Sequence, residues 1–165
     1  MSLDSLADAF YDGLCDIYHA EKQLLKALPK MIRKATDEKL VAILMTHLEE
    51  TKQHVERVEV AFEDTEKSPK AKKCAAMVGL IEEAQGMMEE KASPEVMDAI
   101  IISLAQKIEH YEIASYGTLC SWANALDYAN AAEQLGENLA EEEYADKVLT
   151  KVSKSVNRAA ETVGR

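Results

Sequence analysis

The sequence predicts an all-α fold, four long helices packed as a bundle with one additional short helix crossing between them. Three observations predict it. Large apolar residues recur at steps of three, four or seven through nearly the whole chain, the spacing that gathers them on one helix face. The 165 residues include only 6 Gly and 3 Pro, and no stretch shows the alternation of a half-buried strand. Hydrophobic residues make up 47% of the chain, enough for one real core and too many for a disordered acidic tail. One domain over residues 1–165 is expected.

From Leu6 the stripe passes through Phe10, Leu14, Ile17, Leu24, Leu28 and Ile32, which places a first helix over roughly Ser2 to Ala35. Pro29 lacks an N–H and is expected to kink this helix or tighten its last turn. Thr36-Asp37 reads as a break and a cap, after which Leu40, Leu44, Leu48, Val55, Val58 and Phe62 mark a second helix to about Asp64. So short a link makes the two helices antiparallel neighbours. Ser68-Pro69 and Ser93-Pro94-Glu95 share one grammar, a hydroxyl at the N-cap followed by proline at the first helical position. They bracket a shorter helix over Lys70 to Lys91, whose Met77, Leu80, Ile81, Met87 and Met88 read as core filler, and open a long helix from Glu95 to about Leu126. Asp127 separates this from a last helix with the stripe Leu135, Leu139, Val148 or Leu149, Val152 and Val156, and Val163-Gly164-Arg165 is expected to fray. Long, long, short, long, long describes two helical hairpins joined by a crossover.

With 30 acidic against 19 basic residues the net charge is −11, the wrong sign for nucleic acid or an anionic membrane as the main partner. No stretch approaches a membrane span and the first residues, MSLDSLADAFYDGL, are acidic where a secretory leader is basic, so a cytoplasmic protein is expected. Cys15, Cys74 and Cys120 are odd in number, far apart and form no CxxC; they read as reduced thiols packed as small hydrophobes.

Some of the acids interrupt the core stripes. Glu21 lies on the line of Leu14, Ile17, Leu24 and Leu28, and Glu112 on that of Ile101, Leu104, Ile108, Ser115 and Leu119, with Glu109 one turn earlier. Tyr18-His19-Ala20-Glu21 stands against Glu109-His110-Tyr111-Glu112, a likeness that fits degenerate repeats or chance. The partner helices carry His47, Glu50 and His54, and Glu142 with Asp146; Glu50/His54 and Glu142/Asp146 share an i, i+4 spacing that puts each pair on one face. Taken singly, any of these acids also reads as a solvated flank, as do Glu49, Glu141 and Glu143, while Glu109 fits either reading. His47 and His54 each fit a flank or a satisfied core histidine. The signal is the joint occurrence of an inward acid near mid-length on four helices. Ionised carboxylates in an apolar bundle cost several kcal/mol each unless paired or metal-bound, and no Lys or Arg lies on these lines. Two divalent cations resolve the conflict, and oxygen ligands with a little imidazole suit Fe or Mn, with Zn ranked behind them.

The segments AEKQL around Glu21, HLEET, GLIEEA, AQKIEHYEIASYGTL, and EEEYAD followed by KVLTKV resemble the YciF/YciE-like family of bacterial stress-associated ferritin-like proteins over nearly the whole chain. The resemblance implies a ferritin-like four-helix bundle, a homodimer and a dinuclear metal site. It places the superfamily's helix carboxylates on Glu21, Glu50, Glu112 with Glu109 close by, and Glu142. Ferritin-like di-iron proteins place a His three residues after the second- and fourth-helix Glu, where this chain has Gln53 and Ala145; His54 and Asp146 follow at four residues instead. The expected function is a dinuclear Fe or Mn carboxylate protein with two metal ions per chain. It would react with peroxide or dioxygen in bacterial stress response, as an oxidoreductase of the ferroxidase, peroxidase or catalase kind. Glu21 and Glu112 are expected to bridge, Glu50, His54, Glu142 and Asp146 to be terminal, and Glu109 to shift on and off a metal. The alternative is a non-catalytic acidic bundle, a structural or dimeric partner-binding stress protein; a storage cage is a third. Tyr18, Tyr111, Tyr116 and Tyr144 lie near these acids in sequence and read first as packing, second as groups that orient a ligand or lend an electron.

Overall fold

The computed structural model describes residues 3–163 and contains five α-helices. These are α1 (Leu6–Lys34), α2 (Glu38–Ala61), α3 (Ala75–Glu89), α4 (Pro94–Ala125) and α5 (Ala129–Thr162), with a 3₁₀ turn at Glu63–Thr65. The expected helix start at Ser2, and the fraying expected at Gly164 and Arg165, lie outside the described residues. Short polar side chains set the starts: Ser5 accepts the Asp8 N–H, Asp37 accepts those of Lys39 and Leu40, and Ser93 accepts that of Val96 with Pro94 just inside α4. α1 continues through Pro29 to Lys34 and closes with the Ala35 N–H on the Met31 carbonyl. Asp127 adopts a left-handed conformation (φ 56°) where α4 ends, as its role of separator requires.

The packing forms a closed ring in which α1 touches α2 and α4, and α5 touches the same two. Neighbours in the ring are antiparallel. Tyr11 meets Phe62 across α1 and α2; Phe10 meets Tyr128 while Thr36 bonds Asp98, which reverses α1 against α4. Asp64 accepts the Ala131 N–H at one end of the α2–α5 pair, and Gln106 bonds Thr150 across α4 and α5. It follows that α2 and α4 run in the same direction, so the chain must travel the length of the bundle between them. The segment containing α3 makes that passage, packed outside the ring on α4 and α1.

One expected boundary is wrong. Ser68-Pro69 does not open a helix at Lys70; residues 66–74 form an irregular strap and α3 begins at Ala75. The strap is committed to α1: the Lys72 N–H donates to the Cys15 carbonyl (2.9 Å), the Lys72 ammonium pairs with Asp12 (2.6 Å), and the Tyr11 hydroxyl donates to the Ser68 carbonyl (3.4 Å). A backbone N–H bonded to α1 cannot join a local helical ladder, so tertiary pairing overrides the Ser-Pro signal. Cys74 caps α3 instead, its sulfur accepting the Met77 N–H. All three thiols are free, Cys15 and Cys74 buried and Cys120 partly so. Met77 and Met88 fill the core, whereas Met87 faces outward.

The core is layered. Phe10, Leu14, Val58, Phe62, Leu119 and Leu135 fill one end, and Leu24, Leu28, Leu40, Leu44, Ile101 and Leu149 the other. Between them lies a layer of buried polar side chains.

Candidate metal centre

That layer takes Glu21 from α1; His47, Thr51 and His54 from α2; Glu109, Glu112 and Tyr116 from α4; and Asn138 and Glu142 from α5. None is more than 3% exposed. Its membership follows from helix phase. On α2 the buried line is Leu40, Leu44, His47, Thr51, His54, Val58, Ala61, alternating steps of four and three. Glu50 lies one residue off this line, 23% exposed at the rim with its carboxylate 3.8 Å from His47 Nδ1. On α5 the line is Leu135, Asn138, Glu142, Ala145, Leu149. Asp146 therefore stands outside the cluster, bonded to Gln106 (2.9 Å) and 3.3 Å from His110. A four-residue step turns the helix about 40° past a full turn, so the shared spacing of Glu50/His54 and Glu142/Asp146 does not bring all four inward. His54 instead follows a buried Thr51 by three residues, and Ala145 follows Glu142 by three.

The donor atoms converge in two groups, His47 with Glu109, Glu112 and Glu142, and Glu21 with His54 and Glu142, each spanning no more than 4.8 Å. His54 Nδ1 is 3.0 Å from Glu142 and 3.5 Å from Glu21; His47 Nε2 is 3.5 Å from Glu109 and 3.9 Å from Glu142. Glu142 belongs to both groups, whereas Glu21 falls in one and Glu112 in the other. Within this layer the second oxygens of Glu21 and Glu109, both oxygens of Glu112 and of Glu142, both ring nitrogens of His47 and Nδ1 of His54 have no hydrogen-bond partner. Buried polar atoms are left so rarely that this concentration marks a place that could hold a cation. Hard carboxylate oxygens from three helices and two imidazoles from the fourth are a donor set that fits divalent Fe or Mn.

The electrostatics carry the same strain. Burial, then the neighbouring Glu142, pushes the Glu109 carboxyl well above its ordinary range; burial and the charges of Glu142 and Glu21 do the same to Glu112. Burial also opposes ionisation of Glu142, but the neighbouring Glu109, His54 and His47 hold its carboxyl low. Burial opposes the charged imidazolium of His54, yet Glu142 and Glu21 outweigh it and raise that group to about 10. His47 is raised in the same sense, with Glu50 and Glu142 overcoming burial. Without metal, the carboxylates of this layer share protons with the two imidazoles.

Sequence reasoning left His47 between a flank and a core histidine and did not name it as a ligand, and it missed Thr51 and Asn138 altogether; the alternating phase of α2 and α5 was the signal for them. It also read Glu141 as solvated. Glu141 instead accepts from His54 Nε2 (2.9 Å) and pairs with Arg57 (2.7 Å), so an arginine does reach the edge of the layer. Of the four tyrosines only Tyr116 enters it, donating to Glu21. Tyr18 bonds Glu59, Tyr111 bonds Asp16 and the Cys74 sulfur, and Tyr144 is exposed.

Fold and site define an all-α ferritin-like bundle with a buried carboxylate and histidine layer able to hold metal. The chain belongs to the family described as Domain of unknown function (DUF892), whose model matches residues 5–161. It is 45% identical to Protein YciF of Escherichia coli (strain K12) over 163 residues, 98% of each chain. The solved structure of the E. coli stress protein YciF matches with a TM-score of 0.90 at 44% identity, covering 94% of this chain and 98% of that one. YcfI from Rhodopseudomonas palustris matches with a TM-score of 0.88 at 43% identity, covering 90% of this chain and 95% of that one. A protein from Xanthomonas campestris pv. campestris shares the fold, with a TM-score of 0.76 at 20% identity over 94% of this chain and 95% of that one.

Proposed function

We propose that this chain is a dinuclear Fe or Mn carboxylate protein that acts on peroxide or dioxygen, as a cytoplasmic homodimer engaged in stress response. One observation carries the reading: four buried carboxylates and two buried imidazoles converge with most of their inward atoms unpartnered. No Lys or Arg stands among them to balance the charge, and isolated buried carboxylates are among the costliest groups a fold can hold. The likeness to a protein called a stress protein supports the setting.

Two such ions would supply electron exchange and Lewis acidity to a small oxygen ligand. The chain's own residues do the rest. Glu142, common to both groups, would serve both ions; Glu21 and His54 would complete the hold on one, and His47, Glu109 and Glu112 on the other. Tyr116 keeps its proton, because burial and the charges of Glu21 and Glu112 raise its phenol, and so it remains a donor to Glu21. Glu50 at the rim, facing His47, is placed to take up or hand on a proton. Apolar layers on both sides exclude bulk water.

The alternative is a structural bundle, favoured by the ion pairing of Arg57 and His54 with Glu141, which partly satisfies the layer without metal. Elemental analysis of protein purified without added metal separates the two. About two Fe or Mn per chain, lost in Glu21→Ala and Glu112→Ala, is the expected result. No bound metal, with both variants at least as stable as the parent, would favour the structural role. Catalytic loss of added hydrogen peroxide then distinguishes an oxidoreductase from stoichiometric Fe(II) oxidation.

A further inference from the structure

The two groups of donors are supported very differently. Around the first, a ring of hydrogen bonds and one charge contact closes. The Tyr116 hydroxyl donates to Glu21 Oε1 and accepts from Asn138 Nδ2 (3.1 Å). Asn138 Oδ1 accepts from Arg57 Nη1 (3.0 Å), and the Arg57 guanidinium grips both oxygens of Glu141 (2.7 and 3.1 Å). Glu141 takes the His54 Nε2 proton (2.9 Å), and His54 Nδ1 returns to within 3.5 Å of Glu21. Asn138 also donates to the His54 carbonyl (3.3 Å), tying the ring to the α2 backbone. The bond from Nε2 to Glu141 fixes the His54 ring plane, so that once a metal displaces its Nδ1 proton His54 would offer Nδ1 as the ligand atom beside Glu21 and Glu142. A neighbour that fixes the tautomer and ring plane of a ligand histidine raises its basicity and its grip on metal.

The second group has no such frame. Neither ring nitrogen of His47 and neither oxygen of Glu112 is hydrogen-bonded. This half also lies beside an open cleft. A cleft of about 250 Å³ between α2 and α5, walled by Ile43, Thr46, Tyr144 and Val148, has His47 and the Glu50 carboxylate among its lining residues. Ala145, small and buried, leaves that cleft open.

We propose that the centre is functionally unequal: the ring of Tyr116, Asn138, Arg57 and Glu141 makes the Glu21–His54–Glu142 half a permanent metal site. The His47–Glu109–Glu112 half, below the α2–α5 cleft, is the exchangeable half through which metal and small uncharged oxygen ligands enter. Tyr116, Asn138, Arg57 and Glu141 are positioning residues in this scheme, acting through Glu21 and His54. The proposal rests on the dinuclear reading above.

Anaerobic titration of metal-free protein with Mn(II), followed by calorimetry and electron paramagnetic resonance, tests it without measuring turnover. Two steps are expected, at least about tenfold apart in affinity, with an uncoupled signal at one equivalent and a coupled one at two. Tyr116→Phe and Asn138→Leu should weaken the tighter step by about 10- to 100-fold and spare the weaker one. Arg57→Gln, at the outer edge of the ring, should act in the same direction and keeps the test decisive if Asn138→Leu fails to fold. His47→Gln should remove only the weaker step, and Val148→Trp, which plugs the cleft, should slow its exchange. Two equal steps, or ring variants that weaken both steps alike, would overturn the inequality and leave the dinuclear reading standing. No Mn(II) binding to the parent protein would overturn both.

Discussion

Single side chains at the polar layer decide between two opposite consequences of mutation. Glu112 is fully buried and both its oxygens are unpartnered. In metal-free protein, Glu112→Met replaces an unpaired carboxyl with an apolar group of similar length, and the fold should gain about 1–3 kcal/mol, read by urea denaturation. In the presence of Mn(II) the same variant should lose the metal-induced rise in Tm that the parent shows. The pH dependence of the metal-free fold follows from the same groups. Glu109, Glu112, His47 and His54 all hold protons more tightly when folded, His54 up to about 10. The folded state then binds more protons than the unfolded chain above the ordinary carboxylate and imidazole ranges. Stability contributed by His54 is complete below pH about 6.5 and is lost as pH rises towards 10. Tm of metal-free protein should fall across that window, and His54→Gln should flatten the fall. Glu21 and Glu112 were legible in the sequence because apolar residues flank them on both sides of their helix lines. His47 was not, because its line becomes visible only when Thr51, a residue of neutral pattern, is counted as inward.

At the scale of helices and their links, strong local signals succeeded where no distant partner competed. Ser93-Pro94 opens α4 as read, and Asp37 caps α2. Ser68-Pro69 failed because the Lys72 N–H is committed to the Cys15 carbonyl, a pairing that no local pattern encodes. Asp98 shows how a link is fixed from afar. It is buried and accepts the Thr36 N–H (2.7 Å), the Thr36 hydroxyl (2.6 Å) and the Asp37 N–H (2.9 Å), fastening the α1–α2 turn to the second turn of α4. Asp98→Ala leaves those donors without their acceptor and should cost about 2–3 kcal/mol in equilibrium denaturation, with metal stoichiometry unchanged. Register within helices was the least legible feature. Glu50 and Asp146 each lie one residue from an inward position, Thr51 and Ala145, and a one-residue error moves a side chain by about 100°.

For the whole molecule, element lengths and order already implied two hairpins and a crossover, and the parallel course of α2 and α4 is why the crossover must exist. The arrangement that brings one segment from each of four helices to the same level could not be read from the helix patterns, since it depends on how far each helix slides along its neighbours. The proposed homodimer should appear in light scattering at twice the 18.3 kDa chain mass; a hollow cage of many subunits would argue for storage instead. The most direct measurement is X-ray diffraction from crystals grown with Mn(II), with anomalous maps calculated for manganese. Two peaks about 3.5–4 Å apart should lie on either side of Glu142, one by Glu21 and His54 and the other by His47, Glu109 and Glu112. A polar layer with no anomalous density, at Mn(II) concentrations that populate sites elsewhere on the protein, would contradict a dinuclear centre.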